Sequence, residues 1–213
     1  SNFNSNIDIT FANTSKAINE TFNVQAGTAN ITFKDNAEMQ GGKIVTSNGG
    51  TSNIKFENDS KMTSGTIETT GGTANLTAST NAQLSNKLTQ SGGDFTANFN
   101  DNSQFTGNAT QTGDFTQSGA NSNSTITFHG NANMKGNITT NNGETNITFD
   151  QRAWINGDIK AQGTQNKVTF DNSLLDGNLT LDGFGNIMGH STGNFTSSRI
   201  TGDVTGYDKV NFT

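Results

Sequence analysis

Chemistry needs groups that take, give or share charge at fixed separations, and this sequence carries few of them. There are two histidines, His129 and His190, and no cysteine, which removes thiolate nucleophiles, thiolate metal ligands and disulfides together. His129 directly follows Phe128 in a polar segment and reads as an outward, solvated imidazole, as does His190. Acids offer the sharper alternative. Asp150 and Asp171 each follow a phenylalanine, one repeat apart, and paired carboxylates are the machinery of glycoside hydrolysis. The same position elsewhere holds Lys34, Glu57, Ser79, Asn100 and His129, a mixed file that reads as a wet face. Asp176, Asp182, Asp203 and Asp208 crowd beside glycines, where hard cations find oxygen ligands. The glycine-rich nonapeptide of calcium-binding β-rolls is missing, so these aspartates read as turn residues. No catalytic residue, metal ligand or cofactor is assigned.

Contact chemistry is better represented. Trp154 is the sole tryptophan; it falls at an outward position between Ala153 and Ile155, close to Arg152, and Trp and Arg are favoured interface anchors. The stretch 111–123 reads as a loop insertion, and insertions in repeat proteins collect on one face, often the binding face. Phe115 and Gln117 lie within it. These four residues, Arg152, Trp154, Phe115 and Gln117, are the candidate partner contacts.

What must position them is a repeat. An apolar-x-Phe mark recurs at Ile9/Phe11, Ile31/Phe33, Ile54/Phe56, Ala97/Phe99, Ile126/Phe128, Ile147/Phe149, Val168/Phe170 and Val210/Phe212, with Leu76/Ala78 in the same register. Each mark is followed by small-x-apolar (Ala37/Met39, Ser60/Met62, Ala132/Met134) and then Gly-x-apolar (Gly42/Ile44, Gly107/Ala109, Gly136/Ile138). Period-2 alternation over three to five residues is strand patterning. No helical period is sustained, and Gly and Asn punctuate every segment. One coil between Phe170 and Phe212 reads as degenerate, near Ile187 to Ser191.

Each strand has too few apolar residues to make a core alone. Stacking equivalent strands in parallel, about 4.8 Å apart, turns the matching side chains into continuous inner files. The expected fold is therefore all-β: a right-handed parallel β-helix of about nine coils of about 22 residues, three strands per coil, with residues 1–213 forming a single solenoid segment. An antiparallel barrel or sandwich is the rival, but it needs hairpin turns every 8–12 residues or so and no such equal files. Thr10, Thr32, Thr77, Thr127, Thr148 and Thr169 must face outward, and Asn30, Asn53, Asn75 and Asn146 are placed to form amide ladders along the axis.

Composition fits this picture. Only 29% of residues are hydrophobic and 14% charged, yet there are 15 Phe and no Pro. Low hydrophobicity alone suggests disorder, whereas abundant aromatics and absent proline oppose it. Burying one large apolar side chain is worth roughly 1.5–3 kcal/mol, and each coil supplies several. The net charge of −6 argues against nucleic acid or an anionic membrane surface as partner, and no apolar run is long enough to insert in a membrane. The opening Ser1-Asn2-Phe3 carries neither Met nor a basic-then-apolar leader and reads as the start of an excised or processed piece.

Ala29-Asn30-Ile31-Thr32-Phe33, Lys135-Gly136-Asn137-Ile138-Thr139 and Thr145-Asn146-Ile147-Thr148-Phe149 resemble the repeats of vacuolating-cytotoxin-like autotransporter passengers from epsilon-proteobacteria, and the likeness of texture covers nearly the whole chain. The resemblance implies a secreted stalk, exposed at the bacterial surface and carried there by an outer-membrane barrel outside these 213 residues. The apolar membrane-entering region of such toxins has no counterpart here, so adhesion or colonisation is implied rather than toxicity, with host-cell glycans or surface proteins as partners. The competing functions are a carbohydrate-active β-helix enzyme, lyase or glycoside hydrolase, and ice binding by a flat threonine face. The latter needs two parallel threonine files, where one threonine per strand is read, interrupted by Lys55 and Asn98.

Overall fold

The computed structural model describes residues 1–107, 113–181, 190–206 and 209–213. Short strands follow one another, and every third strand joins the same sheet. Three parallel sheets result, of ten, ten and nine strands, and no helix occurs among the described residues. The first sheet runs from Asn2–Phe3 to Val204–Thr205, the second from Ile7–Phe11 to Lys209–Phe212, and the third from Lys16–Ile18 to Arg199–Ile200. The protein is a right-handed parallel β-helix, as its repeat requires.

The second sheet carries the apolar-x-Phe mark, and its register joins like to like: Ile9 to Ile31, Ile31 to Ile54, Phe128 to Phe149, Phe149 to Phe170. Alternation buries one face, so Ala74, Leu76 and Ala78 are wholly inaccessible while Thr73, Asn75 and Thr77 are half-buried on the outside. Inside, the phenylalanines stack nearly parallel, with ring centroids 4.7 Å apart for Phe11/Phe33 and 4.5 Å for Phe99/Phe128. That spacing is the strand spacing itself, so each ring rests on the next without departing from its strand. Ala78 interrupts the file, and the following coil compensates by turning three phenylalanines inward, Phe95, Phe99 and Phe105.

Three devices at the bends were not expected. Two residues beyond the marker, where the second sheet turns into the third, the backbone is left-handed in coil after coil: Asn13, Asp35, Asn58, Thr80, Asp101, Gln151, Asn172 and Ser197. Where the third sheet turns into the first, an Asx residue after a glycine accepts a backbone N–H from the next coil: Asn137 N–H donates to Asp114 Oδ1, Asp158 N–H to Asn137, Asn178 N–H to Asp158 and Asp203 N–H to Asn178, at 2.8–2.9 Å. The preceding glycine is required: Gly157 has φ +149°, and a Cβ there would collide with the Gly136 carbonyl oxygen. Between the first and second sheets the interior is polar. Thr46 and Ser52 hydroxyls lie 2.6 Å apart, and buried Gln90 donates to the Gly93 and Asn123 carbonyls at 2.6 and 3.0 Å while accepting from Ser124.

Two placements differ from the sequence reading. The strand of the first sheet in the long coil is Phe115–Gln117, paired with Leu88 and with Ile138, so the mark there is Gly113-Asp114-Phe115 and not Gly107/Ala109. Most of the extra residues lie ahead of Phe115 and the rest between Gln117 and Ser122; 108–112, including Gln111, fall outside the described residues. The supposedly degenerate coil keeps its marker as Gly193-x-Phe195: Phe195 pairs in register with both Phe170 and Phe212. Uneven coil lengths on either side of Phe195 hid it.

The outward Asn file forms the expected ladder in part. Asn30 donates to Asp8 at 2.6 Å, Asn53 to Asn30 at 2.8 Å and Asn75 to Asn53 at 3.0 Å. Asn146 lies between Thr125 and Lys167 instead.

Candidate functional site

Arg152 and Trp154 lie at one corner of the rod, and the stacking adds partners that sequence spacing concealed. The strand Trp154–Asn156 pairs with Leu174–Asp176, which pairs with Arg199–Ile200, so Trp154, Leu174 and Arg199 form one outward file on three consecutive coils. Beside it runs the left-handed corner, with Arg152 at φ +79°, Asn172 at +48° and Ser197 at +47°. File and corner together line an open groove of about 390 Å³. Trp154 is 37% exposed, and with Ile18 it is one of the two large apolar side chains exposed among the described residues.

The groove floor is fixed by hydrogen bonds. Ser173 hydroxyl donates to the Phe149 carbonyl at 3.0 Å, Ser198 hydroxyl to the Thr196 carbonyl at 2.8 Å, and Ser173 N–H to Ser198 Oγ at 3.2 Å. Among the described residues, the two guanidinium groups take part in no ion pair; the pairs there are Lys16–Glu38, Lys43–Glu68 and His129–Asp150. Arg152 and Arg199 are the only arginines in the chain and Trp154 is the only tryptophan. All three line this groove. Sequence reasoning missed Arg199 because it joins this file only once the long coil before Phe195 is placed, and missed Leu174 because strand register was not carried from Trp154 to the next coil.

The other two contact candidates are relocated. Phe115 is 1% exposed and stacks on Phe95 with centroids 5.4 Å apart, and Gln117 is wholly buried, donating to the Ser122 carbonyl at 2.8 Å. Both are core residues of the first sheet and present no side chain to a partner. The tell was in the sequence: Asp114 after Gly113 is the Gly-Asx pair that opens every later strand of that sheet.

The acids do not converge. Asp150 and Asp171 stand in register as expected, but Asp150 Oδ1 lies 2.6 Å from His129 Nδ1. Asp176 accepts from Asn156 and Thr201 at 2.7 Å each, and Asp203 continues the Asx ladder. Asp182 and Asp208 fall outside the described residues. Among the described residues no group of three or more His, Asp or Glu could hold a metal ion, and no helix is long and apolar enough to cross a membrane. Gly189-His190-Ser191-Thr192-Gly193 has the spelling of a nucleophile elbow, which demands a sharp strand-to-helix turn. Here His190–Thr196 is instead a strand within the second sheet, with Ser191 in register with Asn166.

A second groove, about 520 Å³ and lined by residues of polar type, lies along the second sheet between the outward files Asn123–Glu144–Gln165 and Thr125–Asn146–Lys167. The same sheet shows two outward threonines on the strands Thr28–Phe33 and Thr73–Ala78, rather than one. Lys55, Asp94 and Glu144 break the two files.

No family model matches the chain, and neither a curated protein nor a solved structure matches it.

Proposed function

We propose that this chain is a section of a non-catalytic, secreted bacterial stalk of the autotransporter-passenger kind, which holds a distal region off the cell surface and takes part in adhesion. The observation that carries the reading is the unbroken register of three parallel sheets. Ten stacked strands at about 4.8 Å make a rod of about 43 Å whose described strands pair without a break, which is what a spacer requires. Supporting it, Asp8, Asp114, Asp158 and Asp176 each serve the rod itself, accepting a hydrogen bond within a ladder or bend. The resemblance of the Asn-Ile-Thr-Phe repeats to autotransporter passengers supplies the secretion route.

The test is antibody labelling of intact cells of the source organism with serum raised against the purified chain. The reading expects labelling without permeabilisation and its loss after brief surface proteolysis. Signal obtained only from permeabilised cells overturns it.

A further inference from the structure

We propose that the groove lined by Arg152, Trp154, Leu174 and Arg199 binds an acidic oligosaccharide, a sugar chain bearing carboxylate or sulfate groups. The inference deepens the adhesive part of the proposed function by naming the ligand class. It rests on that reading for its biological setting alone, because binding is measured on the purified chain.

Charge is the first argument. The chain carries a net −6, yet its only two arginines stand at one groove with no ion-pair partner among the described residues. Guanidinium forks bind planar carboxylates and sulfates through paired N–H donors, a match that scattered lysines do not provide. The aromatic supplies the second. An indole presents a flat, electron-rich face, against which the slightly positive C–H edges of a pyranose ring lie flat. Dimensions agree: the file Trp154, Leu174, Arg199 spans two strand spacings, about 10 Å, the reach of a disaccharide.

Backbone strain is the independent observation. Every other bend of this corner uses one left-handed residue, whereas here two successive non-glycine residues, Gln151 at φ +50° and Arg152 at φ +79°, adopt it. Such conformations are costly for residues with a Cβ and cluster at ligand sites. The strained residue Arg152 lines the groove together with the file. Asn172 amide and Ser197 hydroxyl stand on the same lip and supply neutral groups for sugar hydroxyls.

Because Trp154 is the only tryptophan, its fluorescence reports the groove directly. The experiment titrates the purified chain with sialyllactose, a heparin tetrasaccharide, lactose and hexaglutamate at physiological salt. At least one acidic sugar is expected to perturb Trp154 emission and to bind tenfold or more tighter than lactose and hexaglutamate. Arg152→Gly, which relieves the strain, is expected to raise the unfolding temperature while weakening that binding at least tenfold; Arg199→Gln is expected to weaken it equally with the fold unchanged. Absence of binding by both acidic sugars overturns the proposal, as does equal binding of lactose. Preference for hexaglutamate overturns it in favour of an acidic protein partner. Arg152→Gly and Arg199→Gln variants that are folded and bind undiminished also reject it. None of these outcomes bears on whether intact cells display the chain.

Discussion

Asp158 Oδ1 accepts two hydrogen bonds from Asn178, the backbone N–H at 2.8 Å and the side-chain amide at 3.1 Å. The backbone half of this pair repeats along the file Asp114, Asn137, Asp158, Asn178, Asp203, each Asx oxygen accepting the N–H of the next. Either Asx side chain offers the required oxygen, but the alternation keeps the carboxylates two coils apart, about 9.6 Å. Asn137→Asp would set three carboxylates at successive spacings of about 4.8 Å. It should lower the unfolding temperature by about 2–4 °C at low salt, and added salt should restore most of the loss by screening. Asp158→Asn keeps the acceptor and removes charge, so it should leave the transition nearly unmoved. Calorimetry of the two variants across ionic strength decides, and equal behaviour of both would remove the charge argument.

Phe149 is stacked between Phe128 and Phe170, with centroid distances of 4.8 and 5.0 Å and planes within 4°. Each coil docks on its neighbours through such contacts, so truncation in mid-rod weakens two interfaces at once. Phe149→Ala should cost about 3–5 kcal/mol in urea unfolding, the range for a buried aromatic replaced by a methyl group. A loss below 1 kcal/mol or so would mean that the ring file does not hold the coils together.

The files of the second sheet were legible because their signal is chemical: Phe33, Phe56 and Phe149 recur with Ile two residues earlier, and burial tolerates little else there. Bends were not legible, since the left-handed corner accepts Asn13, Asp35, Thr80, Gln151 or Ser197 and leaves no common letter to find. Gln90 and Ser124 were equally hidden, because polar residues facing inward look like breaks in an apolar pattern until their mutual hydrogen bond is seen. Arg199 joined Trp154 only through register across a coil of unusual length, a relation that local spacing does not encode.

Thr80 occupies the left-handed corner at φ +60° with its side chain exposed. A β-branched residue crowds its own backbone there, whereas Asn is among the side chains that tolerate the region. Thr80→Asn should therefore stabilise the chain by about 0.5–1 kcal/mol, and it leaves intact the bond from Asn102 N–H to the Thr80 carbonyl. Thermal unfolding measures this directly. A decrease in stability would show that Thr80 serves a purpose beyond shaping the bend.

Among the described residues, Glu38 is the group whose surroundings move its titration. Burial pushes its carboxyl up, but hydrogen bonds from Gln40 and Lys16, the Lys16 charge and a hydrogen bond from Thr63 together outweigh burial and hold it below the ordinary glutamate value. Lys16 Nζ lies 3.2 Å from its Oε2, across one strand pair of the third sheet. A folded-state value below the unfolded one means that the group contributes stability above the unfolded value and loses it as pH falls through the folded one. Lys16→Met should raise the Glu38 value and abolish part of this acid sensitivity, while leaving stability at high salt little changed because an exposed pair is screened. Carboxyl-detected NMR titration of Glu38 in both proteins checks the direction. If Glu38 in the unaltered chain titrates at or above an ordinary glutamate, the contacts from Lys16, Gln40 and Thr63 do not outweigh its burial.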